Sequence, residues 1–189
     1  MRLLLSMGAL LLSGCMRCGG DASSREVSEQ PSASAAPISA TPEEPDDPDV
    51  VEVRALAAKF LQPGANVHAL SEELVPREAD YDAVFLPEAA DRMHQFYAPR
   101  FDRGELVIQP GPGHSDVLVF KATTEQIRSG EAPRFPGGYQ NVGRFLQPEL
   151  TMYVFVFVEA GRVDGHTYDG LVRVNDRWVI FPKLWQVLR

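Results

Sequence analysis

The stretch "DGHTYDG" gathers Asp164, His166, Tyr168 and Asp169 within six residues. Carboxylate, imidazole and phenol are the side chains that most often move protons in enzymes. A His166–Asp169 acid–base pair, with Tyr168 beside it, is therefore the candidate catalytic set. Strand geometry opposes its simplest version. The residues around it alternate as a strand does, and strand positions three apart point to opposite faces. His166 and Tyr168 share a face, and Asp169 joins them only if a bulge intervenes.

No other catalytic signature is present. "GHSDV" lacks the second glycine of a nucleophile elbow. The chain contains neither a phosphate-cradling G-x-x-x-x-G-K-[ST] nor H-E-x-x-H. Its four histidines show no H-x-H or H-x₃-H spacing, so no metal and no cofactor is expected. His94 reads as the edge of an apolar helix stripe, and Asp80 and Asp82 as carboxylates favoured near a helix start. A second reading of function, binding, rests on aromatic residues. Trp178, Phe181 and Trp185 near the end of the chain, with Tyr153, Phe155 and Phe157 upstream, either fill a core or leave rings over for a pocket. Tyr168, Trp178 and Trp185 are the candidate binding residues.

The two cysteines, Cys15 and Cys18, are spaced C-x-x-C. A redox site would place them at a helix start within a βαβ unit, and a zinc site would need two more ligands nearby. Neither condition holds. Ahead of Cys15 stand a basic residue, Arg2, an apolar run over residues 3–12 and Ser13-Gly14, the layout of an export signal. The run is about half the length a membrane-spanning helix needs. Leu12-Ser13-Gly14-Cys15 resembles the bacterial lipobox. The resemblance implies cleavage after residue 14, a diacylglyceryl group on the Cys15 thiol and a lipid-anchored envelope protein. Met16, where aspartate would favour inner-membrane retention, implies the outer membrane of a Gram-negative host. Cys18 is then the one free thiol.

From residue 15 to 50 the sequence is rich in Ser, Ala, Pro and acid and has no aromatic residue. Such a composition cannot bury enough apolar surface to offset its ordering entropy, and a disordered tether is expected. Eight acidic side chains between Asp21 and Asp49, against Arg25 alone, carry most of the chain's net charge of −8. No basic face remains for nucleic acid.

Residues 51–189 suffice for one domain. Val50, Val53, Leu56, Ala57 and Phe60 fall at helical spacing, stopped by Pro63 and Gly64. "READYDAVFLPEAADRMHQFYAPR" predicts two helices broken near Leu86 and Pro87. "ELVIQP" and "DVLVFKA" predict a hairpin around "GPGHS". Thr123 and Gln126 have the spacing of a capping box, and "PGGYQNVGRFLQPE" holds a short helix in a long connection. "TMYVFVFVEAG", "HTYDGLVRVN" and "RWVIFPK" are strands, the last two joined by an Asn175-Asp176 turn. That turn sets Arg173 opposite Trp178, Val172 opposite Val179, Leu171 opposite Ile180 and Gly170 opposite Phe181. It also places Arg173 over the indole.

Helices followed by an antiparallel sheet make an α+β domain. The element order resembles the cystatin-like and NTF2-like cones, which implies N-terminal helices packed on the concave side of a curved sheet. "DYDAVF", "FPGGY" and "YDGLVRVNDRWVIFPKLW" are similar to segments of small bacterial lipoproteins, a likeness that implies no activity. The function expected is a membrane-anchored, non-catalytic binding domain whose partner is an envelope protein or a small apolar ligand. The alternatives are an envelope enzyme using Asp169 and His166, and a structural component of an envelope assembly.

Overall fold

Asp47 sets the first helix. Its carboxylate accepts the amide protons of Asp49 (2.9 Å) and Val50 (3.2 Å), and α1 runs Pro48–Ala58 with proline in its first turn. The Lys121 ammonium pairs with the same carboxylate and lowers its pKa below 3.8. The computed structural model describes residues 47–188, which lie in one compact unit. The export signal, Cys15, Met16, Cys18 and the tether as far as residue 46 lie outside the described residues. The boundary expected at residue 50 moves towards the N-terminus, because Val50 is fully buried and residues 48–50 are helical.

A 3₁₀ turn, Lys59–Leu61, ends the first helix. The short α2, Val67–Glu72, follows under an Asn66 cap; six residues are too few to show a periodicity. α3 (Glu78–Val84) and α4 (Pro87–Asp102) are separated at Leu86, as expected. The predicted "ELVIQP" strand does not form. Its main chain bonds to side chains instead: Ile108 N–H donates to Ser71 Oγ (2.9 Å), and Gln109 N–H donates to the Tyr168 hydroxyl (2.8 Å).

β1 (Asp116–Thr123) runs into α5 (Thr124–Ser129) through the expected capping box, and Gly130 closes that helix at φ 79°. After α6 (Tyr139–Val142) come β2 (Thr151–Val158), β3 (Gly165–Val174), β4 (Arg177–Ile180) and α7 (Leu184–Val187). The last strand is shorter than "RWVIFPK" suggested. Pro182 lacks an N–H, and Lys183 takes a left-handed φ of 61°, so the chain turns away after Phe181.

The four strands pair antiparallel in the order β1-β2-β3-β4, forming an open sheet. Asn175 and Asp176 both have positive φ (46° and 61°), and the hairpin register is the one their turn dictates. Arg173 lies 5.7 Å from the centroid of Trp178. Between β2 and β3 the register shifts. Tyr168 faces Phe155 and Leu171 faces Tyr153, which leaves Asp169 and Gly170 together opposite Val154. Gly170 adopts φ +80°, and its carbonyl accepts from Phe181 N–H (2.9 Å).

The domain is α+β, but its helices do not all lie on one concave face. Met152, Val154, Val156 and Val172 point into one core with Tyr81, Met93, Tyr97 and Tyr139 from α3, α4 and α6. Tyr153, Phe155, Phe157 and Trp178 point into a second core with Val50, Val53 and Ala57 of α1. β2 is apolar on both sides, and each face therefore needs a cover. The expectation of one-sided packing is corrected on this point.

Candidate functional site

β3 is ten residues long and β4 only four, so the first half of β3 runs on past its neighbour. A cleft of about 670 Å³ opens along that overhang. α4 contributes Phe96, Tyr97 and Arg100 to it, and the irregular segment after α4 contributes residues 105–108. Residues 165–169, Ile180, Pro182, Lys183 and Gln186 complete its lining.

The proton-transfer set of "DGHTYDG" comes apart in the structure. His166 is exposed, its ring edge-on to His114 with centroids 4.7 Å apart. Tyr168 stacks on Phe155 (5.4 Å, 17°), and its hydroxyl holds the Gln109 main chain, accepting at 2.8 Å and donating at 2.9 Å. Asp169 points into the other core. There its Oδ1 accepts from the Tyr139 hydroxyl (2.9 Å) and from Lys183 N–H (2.6 Å). The bulge follows Tyr168 and does not bring Asp169 to the face of His166. Asp164 lies in solvent, paired with Arg162 at 3.0 Å.

Asp169 is 6% exposed, and burial pushes its carboxyl above the ordinary 3.8. The Lys183 N–H, the Tyr139 hydroxyl and the Lys183 charge oppose that shift. The Trp185 indole also favours the carboxylate, although its N–H meets no partner at hydrogen-bond geometry among the described residues. Tyr139 is driven well above 10 by burial, then by the neighbouring carboxylate. Burial raises Tyr97 in the same direction, and its hydroxyl donates to the Pro182 carbonyl (2.6 Å). A phenol held this far from ionisation is a hydrogen-bond donor and not a general base. The cluster clamps the end of β4 to β3 and α4.

Of the candidate binding residues, Tyr168 lines the cleft, and Trp178 and Trp185 do not. Trp178 is 7% exposed beneath α1, edge-on to Tyr153 (5.1 Å) and donating from Nε1 to Glu52 (3.0 Å). Trp185 is half-buried against the α6 connection, where a side chain at Gly138 would come within 2.6 Å of its Cβ. Both rings are spent on packing. His94 stands at the edge of an interface as expected, 4.9 Å from the Tyr81 ring. Asp80 caps α3 through Arg77 N–H (2.7 Å) and also pairs with Arg177 (3.0 Å).

No family model, curated protein or solved structure matches this chain.

Among the described residues, no group of three or more His, Cys, Asp or Glu side chains is placed to hold a metal. None of the described helices is long and apolar enough to cross a membrane. Among the cleft residues that the sequence did not disclose are Arg100, Leu106 and Lys183. Arg100 falls on a helix face, where charge is ordinary. Leu106 lies in the segment whose composition predicts a strand. Lys183 ends another such segment, although the preceding proline signals the turn that delivers it to the cleft.

Proposed function

We propose that this chain is a lipid-anchored envelope protein whose folded domain binds a ligand in the cleft beside β3. The observation that carries the reading is how the polar residues there are used. Asp169, the best acid–base candidate, accepts from Tyr139 of α6 and from the Lys183 N–H after β4, on the face away from His166. What remains for a ligand is a recognition surface: the Tyr168 ring, the side chains of Leu106 and Val107, Lys183, and Arg100, whose guanidinium lies 3.7 Å over the Phe96 ring and donates to the Phe96 carbonyl (2.5 Å). Few convergent polar groups in an apolar cleft are the usual make-up of a binding site.

The anchor rests on the lipobox-like residues 12–15 and on Met16 for the outer membrane. The tether lets the domain stand clear of the lipid. Replacing Cys15 by Ala is the test. The variant should leave the membrane fraction for the soluble one, and its continued sedimentation with membranes would remove the anchor from the account. For the fold, element order and the Gly170 bulge support a distant likeness to cystatin-like and NTF2-like cones, with α1 on the second face as the departure.

A further inference from the structure

We infer that the occupant of the cleft is an extended peptide segment bearing acidic side chains, added as a strand to the free edge of β3. The inference rests on reading the cleft as a binding site and names what binds there. β4 pairs with β3 only as far as Leu171, and one further bond joins Phe181 N–H to the Gly170 carbonyl. Beyond that, Pro182 and the left-handed Lys183 turn the chain away. Residues 165–169 pair with β2 on one side. On the other side, their main chain makes no hydrogen bond among the described residues. The outer side of β4 is not open in this way, since Ile180 N–H donates to the Leu74 carbonyl (3.0 Å).

An unpaired edge is a template for another strand, and sheets normally cover or charge such edges. Here the residues of the edge line a cleft. Tyr97 in one wall belongs to the core on one face of the sheet, and Ile108 in the other wall belongs to the core on the opposite face. The walls therefore rise from both faces. Side chains of an added strand alternate between faces, so successive residues would enter opposite walls. Five residues of free edge span about 16 Å at the strand rise, enough for a segment of four or five residues.

Charge selects the sequence. Arg100 and Lys183 line the cleft, and among the described residues neither is in an ion pair. Glu105 is engaged by Arg103 at 2.5 Å, and Asp169 by Tyr139 and the Lys183 N–H. Asp169 is buried with the Lys183 charge acting on it, whereas Arg100 and Lys183 are the unpaired charges, among the described residues, that reach the open side of the cleft, so the complementary strand is acidic.

The test uses the full chain in detergent micelles and three capped eight-residue peptides. The first alternates valine with glutamate and the second valine with lysine. The third is the first with its central valine N-methylated. Hydrogen exchange is read at residues 165–169. The glutamate peptide should slow exchange there tenfold or more. The lysine and N-methyl peptides should leave it within twofold of the free protein. The double variant Arg100→Glu, Lys183→Glu should reverse the charge preference. Equal protection by the glutamate and N-methyl peptides, or by the glutamate and lysine peptides, overturns the proposal. So does protection by none of them. In that last case, a small molecule that co-purifies with the native chain and is lost from the double variant would leave the cleft a binding site with a different occupant. Its absence would remove the binding reading as well.

Discussion

The Tyr139 hydroxyl donates to Asp169 Oδ1 across 2.9 Å, and Lys183 N–H donates to the same oxygen across 2.6 Å. One buried carboxylate thus joins α6, β3 and the turn after β4, three segments that nothing in the local sequence would bring together. Replacing Tyr139 by Phe removes one of these bonds and leaves the other. The expected loss is about 1.5–3 kcal/mol, as for a buried bond to a charged acceptor. Urea unfolding measures it, and a change below about 0.5 kcal/mol would mean that the bond is not made.

Tyr81 supplies the opposite case. Its hydroxyl is buried without a hydrogen-bond partner among the described residues, and burial pushes its pKa up to about 12. Replacing Tyr81 by Phe should leave stability unchanged or raise it by up to about 1 kcal/mol, since no bond is lost. A loss as large as that of Tyr139→Phe would reveal a partner.

The Asp169 carboxyl titrates higher in the folded chain than in the unfolded one, where its value is close to 3.8. The folded state therefore binds the proton more tightly. Its contribution to stability is full below pH 3.8 and is lost as pH rises through the raised folded value. Asp169→Asn keeps an Oδ1 acceptor for Tyr139 and Lys183 but carries no charge at any pH. Relative to this variant, the native chain should lose stability as pH rises from about 3. Melting curves of both proteins at several pH values measure the difference. A difference constant from pH 3 to 8 would show that the pKa is not raised.

Gly170 is fixed by its backbone. At φ +80° a Cβ would lie 2.0 Å from the Phe181 carbonyl oxygen, which is itself main chain and cannot swing aside. Gly170→Ala should cost at least about 3 kcal/mol, well above the effect of a glycine replaced in an unstrained strand. A thermal melt showing a native-like midpoint would refute the bulge.

Much of this architecture was legible in the sequence where the signal is local. Leu86 and Pro87 mark the break between α3 and α4, Thr123 and Gln126 start α5, and Asn175 with Asp176 sets a register that holds residue for residue. The misreadings arise where distant partners decide. "ELVIQP" has the composition of a strand, but Ser71 and Tyr168 take its amide protons. Nothing in the sequence says that α1 covers Trp178 on the second face of the sheet, or that Trp185 packs against the first core beside Gly138. The cleft itself was invisible, because it exists where β4 stops short, and that depends on Pro182 and Lys183 turning away from the sheet. Of the residues singled out in the sequence, His166, Tyr168 and Asp169 line it, whereas Asp164, Trp178 and Trp185 do not.

The central claim is that the cleft beside β3 binds a ligand, and native mass spectrometry of the chain gently extracted from its own membranes tests it most directly. The native chain and the Arg100→Glu, Lys183→Glu variant are compared side by side. The account predicts a bound mass on the native chain that is missing from the variant, with the same lipid on both. A bound mass carried equally by both, or by neither, would contradict it.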